Sequence, residues 1–211
     1  MQRLFIAPRY LSLNLILVIT AITLTIIGVS YHASALNYSA GTYGTCTYGT
    51  CTITLGTSGS VAINVTPAAG ATTCSVQKDG VTAITDSSTG YTVTMTNTDT
   101  ITTLTSGGNT ITAHSGSPAA PTALAANTWG YRVDGIAGFG AGPTSAVVNG
   151  SVPGFGFSGV PDSAGTPGLI RSTNTTDAAS VSTDVWYGVC ASSSLPSGSY
   201  IDGVTYTALI N

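Results

Sequence analysis

Gly154-Phe-Gly-Phe-Ser-Gly159 has the Gly-x-Gly-x-x-Gly spacing that can cradle a dinucleotide pyrophosphate. That use needs a strand before the glycines and a helix after them, because the phosphate sits on the helix N-terminus. Here Pro153 precedes the motif and Val160-Pro161 follows it, so the spacing implies no dinucleotide site. A serine nucleophile needs a His base held by a third group. Beyond the N-terminal region the chain has a single histidine, His114, in a Ser/Gly/Pro stretch that predicts a surface loop. Paired carboxylates could do acid–base work. All eight acids are Asp, however, and they are scattered mostly where turns are expected, which Asp favours through local hydrogen bonds. Calcium would want closely spaced acids, and Asp177 with Asp184 is the nearest pair. These residues imply no enzyme, no cofactor and no metal site.

Four residues could instead form crosslinks. Cys46, Cys51, Cys74 and Cys190 are an even set, which in an exported chain suggests two disulfides. Three connectivities exist, and the favoured one is Cys46–Cys51 with Cys74–Cys190. Zinc is the competing use, but Cys46-x4-Cys51 lacks a second close pair or a nearby His. Lys78, the only Lys, would be needed for an intramolecular isopeptide, and no acid partner stands out. Cys74-Ser-Val-Gln77 has a thioester-like spacing that simple strand alternation also explains. The residues that could bind a partner are aromatic: Phe139, Phe155 and Phe157 in a Gly/Pro-rich stretch, and Tyr43 and Tyr48 in a duplicated Tyr-Gly-Thr-Cys-Thr.

The elements that must position these residues begin with the N-terminus. Arg3 and Arg9 precede an uncharged apolar run, Leu11 to Val29, and Ala33-Ser34-Ala35 fits a cleavage site. Residues 1–35 therefore read as a secretory signal peptide, with an uncleaved membrane anchor as the alternative. Residues 36–60 form a Gly/Thr/Cys-rich lead, and 61–211 are long enough for one domain. After residue 35 the only cations are Lys78, Arg132 and Arg171, against eight Asp. Nucleic acid is excluded as a partner, because phosphate binding needs clustered cations. Charged residues make up 6% of the chain, replaced by Thr, Ser, Gly and Ala, which leaves a neutral, hydroxyl-rich surface.

Period-2 alternation marks the strands. Ile53-x-Leu55 opens one. Val61, Ile63 and Val65 predict another, and Cys74–Thr85 predicts a strand pair or one strand interrupted at Asp79-Gly80. Tyr91, Val93 and Met95 alternate with Thr. Thr128–Asp134 places Trp129, Tyr131 and Val133 on one face and Arg132 on the other. Asp184–Ala191 and Tyr200–Ile210 close the chain. No helical period is evident after Leu36, so the fold is all-β, a sandwich or barrel. Trp129 and Trp186 should both be buried. Gly135–Leu169 breaks the pattern with ten Gly and four Pro. It reads as a long crossover loop with one poor strand near Val152–Val160, whose Phe residues either cover the sandwich or form an exposed patch.

Ser88-Thr-Gly-Tyr-Thr-Val-Thr-Met95, Ala123-Leu-Ala-Ala-Asn-Thr-Trp-Gly-Tyr-Arg-Val-Asp134, Trp186-Tyr-Gly-Val189 and Pro196-Ser-Gly-Ser-Tyr-Ile-Asp-Gly-Val-Thr-Tyr-Thr207 together resemble secreted Thr-rich β proteins of Saccharibacteria-type bacteria. Gly90-Tyr91 and the closing Thr205-Tyr-Thr-x-Leu209 are more distantly similar to the cell-wall-binding WxL domain, with Tyr206 where that pattern has Trp. The ending Gly198, Tyr200, Val204 is similar to spore-coat-U and pilin-like domains. These resemblances imply an immunoglobulin-like antiparallel β-sandwich used outside the cell. The export signal, the all-β pattern, the disulfides and the missing catalytic set imply a non-catalytic surface structural or adhesion protein; alternatively, the aromatic residues imply a carbohydrate- or cell-wall-binding module. Its partner would be a cell-envelope or host-surface component, a glycan among them, with self-association also open. Membrane contact would come only through an uncleaved N-terminal segment.

Overall fold

The computed structural model describes residues 51 to 211. The expected leader, Tyr43, Cys46 and Tyr48 lie outside the described residues. Among these described residues ten strands and no helix form: β1 (Ile53–Gly56), β2 (Thr72–Thr85), β3 (Tyr91–Asn97), β4 (Leu104–Ser106), β5 (Asn109–Ala113), β6 (Thr128–Val133), β7 (Val147–Gly150), β8 (Gly168–Ser172), β9 (Asp177–Ser192) and β10 (Val204–Ile210). The fold is all-β, as the alternation implied. A larger sheet runs β1-β2-β9-β6-β5-β4, with β7 added on β2, and a smaller one runs β10-β3-β8. The larger sheet curls into a half-barrel.

The long strands β2 and β9 are the spine. They pair antiparallel from Thr72↔Ser192 to Thr85↔Asp177, with one irregularity near Ala83. Asp79-Gly80 does not interrupt β2: both residues stay in register, opposite Val185 and Asp184. An Asp-Gly pair makes a hairpin turn only where the chain reverses, and here fourteen residues of partner ladder hold it straight. Cys74 and Cys190 are directly opposed in this register and disulfide-bonded, with Cα atoms 4.1 Å apart. Cys51 is disulfide-bonded too, and the Cys46 half of the expected pair lies outside the described residues.

The main core lies between the sheets. β3 shows strict alternation, with Tyr91, Val93 and Met95 buried and Thr92, Thr94 and Thr96 on the outer face. From β10, Tyr206 and Ala208 join them; opposite stand Val81, Trp129, Tyr131, Val133, Val185, Tyr187 and Val189. Trp129 is buried and donates its indole N–H to the Thr102 carbonyl at 2.8 Å. A polar pin crosses this core. The Tyr187 and Tyr206 hydroxyls are 2.6 Å apart, and Tyr187 also donates to Met95 Sδ at 3.1 Å. Burial pushes both phenols' pKa upward, so they stay neutral donors. Asp79, on the same face and 3% exposed, accepts the Ser58 N–H at 2.8 Å, and burial raises its pKa as well.

Three expectations need correction. Val61, Ile63 and Val65 form no strand. Their side chains alternate as the sequence required and pack partly buried on the core, but both stretches of the β2 edge beside them are already paired, with β1 and β7. The sheet begins at Ile53, ahead of the boundary placed at residue 61. β5 and β6 run parallel, so the pairing is not wholly antiparallel. The disulfide lies within one sheet, whereas antibody-type sandwiches bridge two.

Replacing Cys74 and Cys190 together with Ala should lower stability by about 4 kcal/mol, the chain-entropy value for a loop of roughly a hundred residues. Guanidinium unfolding followed by tryptophan fluorescence measures it. A loss below about 1 kcal/mol would mean that the β2–β9 ladder alone restrains the chain.

Candidate functional site

Alternation on β6 sends Tyr131 into the main core and Arg132 to the opposite face of the sheet. Arg132 is completely buried. Its Nε donates to Asp134 Oδ1 at 2.9 Å, its Nη1 to the Gly156 carbonyl at 3.1 Å, and its Nη2 to the Phe139 and Gly140 carbonyls at 2.9 and 3.2 Å. The guanidinium lies 5.0 Å from the Phe155 ring centroid and 5.9 Å from that of Phe139. Arginine suits the position because its fixed fork reaches several acceptors at once and its plane stacks on aromatic rings. One cation thus ties both ends of the 139–156 segment to β6. Gly142 lies so close that an added Cβ would strike Asp134 Oδ1 and the Arg132 head group.

Phe157 fills the rest of this second face. It is fully buried with Leu124, Val76, Trp186 and the Cys74–Cys190 disulfide. Gly188 makes room for it: a Cβ there would stand 2.6 Å from Leu124 and 2.8 Å from the Phe157 ring. The poor strand expected near residues 152–160 is present only as two isolated bridges, Thr122↔Phe157 and Tyr131↔Ser158. The regular strand of the segment is β7, whose Val147–Gly150 lacked a distinctive pattern.

The five candidate binding residues are therefore distributed as follows. Phe139 and Phe157 are buried, and Phe155 is half-buried against Arg132. The three phenylalanines cover the sheet and form no exposed patch. Tyr43 and Tyr48 lie outside the described residues. Trp186 is buried at 3% exposure, with Lys78 Nζ 5.5 Å above its ring. Among the described residues no aromatic side chain stands fully exposed.

Every charged side chain after residue 51 has a structural partner. Lys78 pairs with Asp184 at 2.7 Å, Arg132 with Asp134, and Arg171 with Asp177 at 3.2 Å. The other five Asp accept backbone N–H groups: Asp79 from Ser58, Asp86 from Thr52, Asp99 from Ile101, Asp162 from Ala164 and Asp202 from Gly203. Asp177 and Asp184, the pair nearest to a calcium set, point to opposite faces of β9, each toward its own cation. No cluster of three metal-ligating side chains exists among the described residues. Cys74 is committed to its disulfide, which closes the thioester reading.

His114 is not the surface residue its loop implied. It is 6% exposed, with Nε2 at 2.8 Å from Thr122 Oγ1 and Nδ1 at 3.5 Å from Thr128 Oγ1. Neither ring nitrogen meets an acid, so no Ser–His–Asp arrangement forms among the described residues. What sequence reasoning missed is the parallel β5–β6 pairing, which puts His114 directly after β5 and against the 157–159 segment.

One open face remains. On the outside of the small sheet Thr94 opposes Thr207 and Thr96 opposes Thr205, with Thr205 exposed and the other three half-buried among the described residues. No protein-family profile, no curated protein and no solved structure matches this chain.

Arg132→Met should cost about 3–5 kcal/mol, because it removes the donor to Asp134, to the buried Phe139 carbonyl and to the partly buried Gly140 and Gly156 carbonyls. Limited proteolysis should then cut within 135–156, where the parent chain resists. A second expectation concerns pH. Burial lowers the His114 pKa below its ordinary 6.5. The unfolded chain then takes up the proton first, so this contribution is intact above pH 6.5 and falls as pH drops below it. The difference in unfolding free energy between the parent and His114→Gln, which cancels the opposing slopes of Asp79 and Asp202, should shrink below pH 6.5. A constant difference would mean that folding leaves the ring's pKa unchanged.

Proposed function

We propose that this chain is a non-catalytic, exported cell-surface protein with a structural or adhesive role. The observation that carries the reading is the internal commitment of the charged and most aromatic side chains among the described residues. Among the described residues each cation and each carboxylate is bound within the fold, and His114 is held between two Thr hydroxyls. Catalysis needs at least one such group free to face a substrate. The disulfide staple is compatible with an oxidising compartment, and the N-terminal charge, apolar run and small-residue site supply the export signal. The immunoglobulin-like character of the sandwich belongs to this same reading.

A glycan- or wall-binding module is the second reading. The uncharged Thr face of the small sheet favours it, since neutral hydroxyls match neutral, hydroxyl-bearing polymers. The covered aromatics oppose the usual stacking platform, on which sugars lie against exposed rings.

Protease shaving of intact cells carrying the epitope-tagged full chain tests the location, with a cytoplasmic protein as control. The chain should be released while the control is retained. Glycan and peptidoglycan arrays then separate the two readings. Phe155→Ser with Phe157→Ser should lower the melting temperature by about 10 °C or more, because two core-facing rings are lost. It should leave cell binding at low temperature unchanged. Loss of binding with an unchanged melting temperature would make these residues a partner site instead of cover.

A further inference from the structure

Cys74 and Cys190 are both 0% exposed, and the fold closes on their sulfurs from several sides. Within the sheet, Gly150 of β7 stands beside Cys74 and Thr128 of β6 beside Cys190. The main core lies on the other face of that sheet. On their own face the two sulfurs share a buried cluster with Val76, Leu124, Phe157 and Trp186, and Val147 and Phe155 pack against it. Val147, Phe155 and Phe157 all belong to residues 135 to 157.

What holds those residues down is unlike a sheet. Their ladder is the short β7 and the Thr122↔Phe157 and Tyr131↔Ser158 bridges at the far end. One side chain, Arg132, fixes both ends through the carbonyls of Phe139, Gly140 and Gly156. Ala137, between β6 and the first of these anchors, sits at φ 50°, a left-handed conformation that a residue with a Cβ adopts at a cost. The anchor has no spare room: a Cβ on Gly142 would strike Asp134 Oδ1 and stand 2.6 Å from Arg132 Nε. The closed position therefore hangs on one latch, and the staple that it covers is fixed to the sheet below.

Thiol–disulfide exchange requires a thiolate to reach a sulfur, and its rate depends on access. We propose that residues 135 to 157 are a gate over the Cys74–Cys190 disulfide, latched by Arg132, and that opening of this gate, without unfolding of the sheet, admits a small dithiol to the bond. One thiolate of the dithiol attacks a cysteine sulfur and expels the other cysteine as a thiolate, which leaves a mixed disulfide. The second thiolate of the dithiol then displaces the first cysteine. The dithiol departs as a disulfide, and its two electrons and two protons end on Cys74 and Cys190. Whatever lifts the segment, a partner or a cut in the loop, thereby decides when the staple between β2 and β9 can be removed. This device goes beyond the surface role proposed above and does not rest on it.

The experiment exposes the purified full chain to dithiothreitol at several urea concentrations below the unfolding transition. Samples are quenched by alkylation, and peptide mass spectrometry follows Cys74 and Cys190. The half-buried, disulfide-bonded Cys51 is the internal reference and should be alkylated first. Loss of the Cys74–Cys190 bond should be slower and should rise only shallowly with urea, because opening exposes the surface of one segment and global unfolding exposes all of it. Gly142→Ala should speed it about tenfold, within the range that overpacking a tight site gives. Val93→Ala, which truncates the main core on β3 and lowers global stability, should leave the rate unchanged. A urea slope equal to that of global unfolding would overturn the gate, as would equal acceleration by the two variants or none by Gly142→Ala. Reduction as fast as that at Cys51 would overturn it too, since the segment would then shield nothing.

Discussion

Residues 185 to 191 of β9 are buried without a break, although a strand sends successive side chains to opposite faces. The centre of the larger sheet therefore needs two covers. The β10-β3-β8 sheet provides one in the ordinary way, with its own ladder satisfying its backbone. The other cover is segment 135–167, which has little ladder of its own. Its carbonyls still need donors once buried, and Arg132 supplies them to Phe139, Gly140 and Gly156. Burying a guanidinium is unfavourable by several kcal/mol unless its hydrogens are bonded. Here Asp134, three carbonyls and two aromatic rings surround it, so the desolvation is offset where it occurs.

The same economy of charge shapes the surface. A chain with three cations and eight Asp after residue 35 has few charges to place, and each is used to fix backbone or another charge. What remains facing solvent is mostly hydroxyl and small apolar. Recognition by such a molecule must work through shape, hydroxyl contacts and pockets, and long-range steering has little to act on. A surface of this kind fits neutral polymers better than nucleic acid or anionic membrane.

Much of the frame was legible because period-2 patterning reports burial directly. Tyr91–Met95, Trp129–Val133 and Val185–Val189 each put the expected face inward, and the Cys74–Cys190 pairing followed from an even cysteine count and two well-patterned strands. What escaped was set by non-local competition. Val61–Val65 had the right alternation, but whether it joins a ladder depends on who else pairs with β2. Gly188 and Gly142 look like breakers in the sequence and are clearances for Phe157 and Arg132 in the fold. Arg132 itself read only as lying on the face opposite Trp129, Tyr131 and Val133, since nothing local says that a loop of Gly and Pro will return across it. His114 was misjudged for the same reason: its Ser/Gly/Pro neighbours suggested exposure, and the 157–159 segment then covered it.

The two covers differ in how they can fail. The core under the small sheet is large and pinned by the Tyr187–Tyr206 hydroxyl pair. The second cluster is six buried residues, one of them Phe157 from the loop. Local stability follows buried contacts and protected hydrogen bonds, so the loop layer is the weaker unit. Its lifting would leave Trp186 and the disulfide uncovered yet the β2–β9 ladder covalently tied, because Cys74 and Cys190 sit on the sheet and not on the loop. A chain built this way can expose one face to a partner or a protease without losing the register of its central strands. That separation of functions, loop as removable cover and sheet as stapled frame, follows from placing the disulfide under the cover that has the least ladder of its own.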